Sequence, residues 1–166
     1  MTTWCLSFLP MNIRDFAVRF LNNKIYLNAN LENAYGHIPD CTFCSIHLIQ
    51  DPPRENNVHF WRDCTYTSRI LQQYFDGFFQ NTNINWDKNM VFLGAPPNLN
   101  NEKATVVNIE IILALHFLYN CKQKKKAPLL HNLDFHMSSN KSIFMKKTRY
   151  KKMWDTWVGT QMLPNP

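Results

Sequence analysis

Cys41 and Cys44 stand two residues apart, and after fourteen further residues His59 and Cys64 follow with four residues between them. Thiolate and imidazole are the donors that zinc prefers, and two closely spaced ligand pairs are how a short stretch of chain supplies a tetrahedron. The two-residue gap lets one turn present both thiolates to an ion. The four-residue gap fits a second turn that ends in the cap of the following helix. The expected ligands are therefore Cys41, Cys44, His59 and Cys64, with a zinc ion between them. His47 and His37 compete with His59. They rank below it because Asp51-Pro52-Pro53 swings the chain outward and returns it with His59 beside Cys64. The alternative reading of the cysteines is three buried thiols in a helical core.

A chain of 166 residues fits one domain, or one small domain with an appendage, and buries a normal core. A metal would then be a local staple. With only 4 glycines and 14% aromatic residues, the composition suits a mainly α protein. The opening Met1-Thr2-Thr3-Trp4 lacks the basic region of a secretory signal. The longest apolar run, Ile111 to Leu115, is far short of a bilayer span. These features lead to the expectation of an intracellular protein, nuclear or cytoplasmic, with no membrane partner. In such a compartment clustered cysteines are metal ligands more often than disulfides. Cys5 and Cys121, which stand alone, read as buried apolar thiols.

The net charge of +6 is unevenly spread. Residues 1–120 carry eight Lys or Arg against ten Asp or Glu, a balance of −2, and residues 121–166 carry ten against two, a balance of +8. Attraction for polyanions is concentrated in that last quarter.

Helical periodicity organises the rest. Leu9-Pro10 leads into a helix from Asn12, read as its cap, to about Asn23, with Ile13, Phe16, Ala17, Phe20 and Leu21 on one face. A short second piece reaches about Ala34, and turn residues from Tyr35 to Asp40 deliver the chain to Cys41. Ser45 to Asn57 reads as a surface excursion. From Thr65, the residues Ile70, Leu71, Tyr74, Phe75, Phe78 and Phe79 give the strongest amphipathic signal. Residues 81–101, rich in Asn and containing Ala95-Pro96-Pro97, read as a linker. The span from Ala104 to Asn120 is apolar nearly all round and so is expected to be buried, with Asn108, Glu110 and His116 needing partners. A last helix is expected from Lys141 to Val158. The organisation is then a metal-binding domain over 8–80, a linker over 81–101, and a helical, basic region over 102–166.

Several of these residues carry a resemblance to a known family. Leu9-Pro10, the run from Arg14 to Lys24, Leu31, Cys41-x-x-Cys44, and Glu55-x-x-x-His59-Phe60-x-x-x-Cys64 together resemble the zinc-binding region of non-LTR retrotransposon reverse transcriptases. The likeness covers roughly residues 8–80. It implies a helical knuckle that lies beyond a polymerase domain, binds zinc at Cys41, Cys44, His59 and Cys64, and contacts template RNA or target DNA. A polymerase chain would be its partner. The gap between Cys44 and His59 is longer than this family usually shows, and Pro52-Pro53 can absorb the insertion as a protruding loop. Glu55 is placed to accept a supporting hydrogen bond from the imidazole of His59, or else is a solvated loop carboxylate.

The basic residues Lys122, Lys124, Lys125, Lys126, Lys146, Lys147, Arg149, Lys151 and Lys152 read as phosphate contacts. Trp154 and Trp157 beside them read as core residues before base-stacking ones. No catalytic pattern is present. The chain has no Asp-Asp pair for a two-metal polymerase site, no phosphate loop, no nucleophile elbow and no His-Glu-x-x-His. Asp87, Glu102, Glu110 and Asp134 are too scattered to assign a nuclease. The sequence thus leads to a non-catalytic zinc and nucleic-acid-binding module. The alternatives are a zinc-stapled protein-interaction module and the remnant of a restriction-like nuclease.

Overall fold

The computed structural model describes residues 9–80 and 82–161. Cys5, expected as a buried thiol, lies outside them. Among the described residues the chain is mainly helical and forms no strand, only one isolated antiparallel bridge between Asp40 and Arg54. The helices are α1 (Met11–Leu21), α2 (Asn28–Tyr35), α3 (Thr42–Ile46), α4 (Thr65–Phe78), α5 (Met90–Leu93), α6 (Asn101–Gln123), α7 (Leu130–Phe144) and α8 (Thr148–Gln161), with a π turn at His59–Asp63 ahead of α4.

α6 is the axis of the fold. From Val106 to Leu118 every residue is buried, and α1, α7 and α8 pack around it. It starts on a proper cap, the Asn100 side chain accepting from Lys103 N–H at 2.9 Å. By length and composition it could cross a membrane, with a mean hydropathy of 1.5 over its most apolar stretch, yet 78% of that stretch is buried by the rest of the protein. Its three polar core residues find partners, as burial requires. Asn108 Oδ1 accepts from Ala95 N–H at 2.7 Å, Glu110 Oε2 accepts from the Tyr74 hydroxyl at 2.8 Å, and the ring of His116 lies against that of Phe16 and near the Asn120 amide.

α4 meets this axis with its aromatic stripe. Phe75 stacks on Trp86 with ring centres 4.2 Å apart, and Phe78 stacks on Trp157 at 5.1 Å. Both Trp154 and Trp157 are buried, with Lys141 Nζ 3.5 Å above the Trp154 ring. The tryptophans belong to the core.

Several boundaries differ from expectation for local reasons. α1 begins one residue before Asn12, with Pro10 at the cap position and no side-chain cap, so Asn12 is in the first turn. Pro10 already supplies the fixed φ that a helix start needs. The stretch 81–101 is no free linker: Trp86, Met90, Val91 and Ala95 are buried in the same core as α4 and α6. A single core therefore runs through what reads in sequence as two regions. The helix expected from Lys141 to Val158 is two helices with a turn at Met145–Lys147, and α7 begins eleven residues earlier at Leu130. α6 also extends through Lys122, which changes the role of that lysine.

Glu110 makes stability depend on pH. Full burial raises its carboxyl from an ordinary 4.5 to about 7, against the opposing hydrogen bond from Tyr74. A folded-state value above the unfolded one means stability present below pH 4.5 and lost as pH rises through about 7. Glu110→Gln keeps an acceptor for Tyr74 and removes the titration. Urea unfolding at pH 5 and pH 8 should show the variant gaining on the parent by about 3 kcal/mol over that interval. An unchanged gap between the two proteins at both pH values would show that Glu110 is not buried as described.

Candidate metal centre

The candidate ligand side chains sit on or beside α3, the π turn and the start of α4. Cys41 and Cys64 are the residues immediately before α3 and α4, with nearly identical backbone angles, φ −63° and ψ 121° and φ −63° and ψ 120°. Each carbonyl then starts its helix, Cys41 accepting from Ser45 N–H at 2.9 Å and Cys64 from Ser68 N–H at 2.8 Å. Two sulfurs are thereby held where helix amides favour negative charge. Cys44 follows inside α3. His59 opens the π turn, whose wider winding turns Phe60 and Trp61 into the core while the imidazole stays half-exposed at the cluster. Phe60 stacks on Phe43 at 5.3 Å, and Trp61 lies edge-on to Phe16 and Phe20.

The four ligand atoms all lie within 4.8 Å of one another. Cys41 Sγ and Cys64 Sγ are 3.8 Å apart, Cys44 Sγ and Cys64 Sγ 3.9 Å, and Cys44 Sγ and His59 Nε2 3.6 Å. A tetrahedron with metal–sulfur bonds of about 2.3 Å has sulfur–sulfur edges of about 3.8 Å and sulfur–nitrogen edges of about 3.6 Å. The donor set and its spacing fit a four-coordinate metal ion. Cys41 S–H donates to Cys64 Sγ, which pushes the Cys41 thiol up and, with the backbone amides of Tyr66 and Thr67, brings Cys64 down to about 5; burial raises Cys44 to about 11. Metal binding requires all three as thiolates and so releases protons.

The other histidines are elsewhere. His47 is exposed and stacks flat on Tyr66 with ring centres 3.8 Å apart, and His37 is exposed beside Tyr35. The long segment between Cys44 and His59 is pinned at its base, where Cys41 N–H donates to Pro53 O at 2.8 Å and Glu55 N–H to Pro39 O at 2.7 Å. The loop beyond that clasp protrudes, with Leu48 91% exposed and left-handed φ angles at Leu48 and Asp51.

Glu55 does a different task from the expected bond to His59. It is fully buried, and its oxygens accept from Asn28 N–H at 3.0 Å and Thr42 N–H at 2.7 Å, the first residues of α2 and α3. Its charge faces Lys122 Nζ at 3.2 Å, and Lys122 also donates to Asn28 Oδ1 at 3.2 Å. One carboxylate thus ties two helix starts and the end of α6 together beside Cys41. The same geometry corrects the assignment of Lys122 as a phosphate contact, since it is 7% exposed and committed to Glu55. Lys124, Lys125, Lys126, Lys146, Lys147, Arg149, Lys151 and Lys152 are all exposed. Cys121 is half-buried and away from the cluster. Asn28, Tyr66 and Thr67 were not legible as supporting residues, because nothing in a single sequence pairs them with Glu55 or Cys64.

The pair of Glu55 and Lys122 can be tested as a unit. Glu55→Gln leaves a buried ammonium without its counter-charge and should cost about 3–5 kcal/mol in denaturant unfolding. The double variant Glu55→Gln with Lys122→Met should recover at least half of that loss. Strictly additive losses would mean that the two charges do not interact.

No protein-family model matches the chain, and neither the curated proteins nor the solved structures hold a significant match to it.

Proposed function

We propose that this chain is a zinc-stapled helical module that binds RNA or DNA and has no catalytic activity of its own, of the kind that accompanies non-LTR retrotransposon reverse transcriptases. The reading rests on one observation above all: three cysteine sulfurs and one histidine nitrogen within 4.8 Å of one another, with separations of 3.8, 3.9 and 3.6 Å near tetrahedral edge lengths, from a C-x2-C and an H-x4-C pair. Zinc is the ion proposed because a closed site of thiolate and imidazole donors, with no oxygen ligand and no open position, is typical of structural zinc. The nucleic-acid part rests on the exposed basic runs after α6 and across the start of α8. Exposed lysines and arginines neutralise phosphates and release counterions, which gives affinity without base choice. The natural partner under this reading is a polymerase chain that supplies the catalytic site.

A zinc-stapled protein-interaction module is the competing reading, favoured by the exposed apolar side chains of the protruding loop, Leu48 and Ile49. Zinc content tests what the two readings share, and salt dependence decides between them. Purified protein should carry one zinc per chain, lost in Cys41→Ser and in Cys64→Ser and kept in His47→Ala. Binding to single-stranded RNA should weaken steeply with salt, with a log–log slope of about −0.7 for each phosphate neutralised. Lys146→Gln combined with Lys147→Gln should flatten that slope. A flat salt dependence would favour the protein-interaction reading.

A further inference from the structure

A groove of about 510 Å³ lies between the start of α2, the chain ahead of Cys41 and the last turn of α6. That volume falls inside the range of about 300–1,000 Å³ usual for small-ligand sites. Its walls carry the rings of Tyr26, His37 and Tyr119, and Gln123 and Lys125 stand along the α6 side. Tyr26 is 54% exposed and Ile38 is 73% exposed, so large side chains are held open to solvent rather than folded into the core. Tyr35 extends the patch, its ring edge-on to that of His37 at 6.3 Å. Burial raises the Tyr119 hydroxyl, against the nearby charge of Arg19. Lys122, held to buried Glu55 at 3.2 Å, also lines the groove.

Two features indicate what this groove takes. Exposed aromatic faces beside cations are the combination that single-strand binders use, bases stacking on rings while phosphates meet lysine or arginine. The second feature is Lys125, two residues past the end of α6, in the left-handed region at φ 49°. Glycine fits that position best. Here the backbone instead carries a long cationic side chain to the mouth of the groove, and Lys124 and Lys126 flank it, both exposed.

We infer that the groove seats one unpaired nucleotide of a single strand, its base against Tyr26 and His37 and its phosphate on Lys125. This site rests on the nucleic-acid reading above and makes it specific, because it assigns stacking to a place that the lysine runs alone do not define. It also implies discrimination against a duplex, whose bases are not free to enter.

The test uses the full-length, zinc-loaded chain and a fluorescently labelled twelve-nucleotide oligo(U), read by anisotropy, with the same sequence as a duplex for comparison. Tyr26→Ala should weaken single-strand binding by roughly tenfold or more, whereas Tyr26→Phe, which keeps the ring, should stay within about twofold of the parent. Lys125→Gly should relieve the backbone and raise thermal stability, yet lower the salt slope by about 0.7. Phe135→Ala, 75% exposed on α7, should change nothing. Photocrosslinking of the parent with a 4-thiouridine oligomer, read by mass spectrometry, should mark Tyr26 or His37 and needs no folded variant. If the parent binds with a steep salt slope but Tyr26→Ala and His37→Ala bind equally well, or the crosslinks map elsewhere, this seat is wrong and the broader reading stands. If the parent shows no salt-dependent binding to the oligomer, both fall, and the open aromatic groove belongs to a protein partner.

Discussion

Three thiols crowded at 3.8–3.9 Å in a buried setting gain little from one another, because sulfur is a weak donor and a weak acceptor. Their closeness makes sense as coordination geometry. A cation at their centre would join the start of α3, the π turn and the start of α4, the first two only five residues long. The placement of Phe43, Phe60 and Trp61 in the core depends on those same turns. The Cys/His cluster and the hydrophobic core are two sides of one piece of backbone.

Electrostatics follow from that arrangement. Cys41 and Cys64 occupy helix starts, where amide groups favour thiolate. Glu55 caps the starts of α2 and α3 and is balanced by Lys122 from the far end of α6, ninety-four residues beyond Asn28, to which that lysine also donates. A buried carboxylate without that lysine would be costly. The long axial helix therefore has to reach Lys122 for the metal loop to be supported, which explains why α6 continues three residues past the end that its apolar pattern marks.

The parts legible in the sequence were those with a period or a fixed spacing. The clustering of Cys41, Cys44, His59 and Cys64 and the aromatic stripe of α4 are of this kind, and so is the burial of the axial helix. α7 was not legible, because only Leu133, Met137 and Phe144 along it are buried while Phe135 and Ile143 point outward, so no clean stripe forms. The run 81–101 looked like a linker from its asparagines and prolines, yet Trp86 stacks on Phe75, and Met90, Val91 and Ala95 are buried in the same core. Lys122 reads as one more cation in a lysine run. Only the register of α6 turns it inward while Lys124 to Lys126 stay in solvent.

The claim on which the account depends is that Cys41, Cys44, His59 and Cys64 bind one ion together as a closed tetrahedron. X-ray absorption at the zinc edge of the loaded protein tests it most directly. The account predicts a first shell of three sulfurs at about 2.3 Å and one nitrogen at about 2.0 Å, with no oxygen. A shell containing water or carboxylate oxygen, or fewer than three sulfurs, would contradict it.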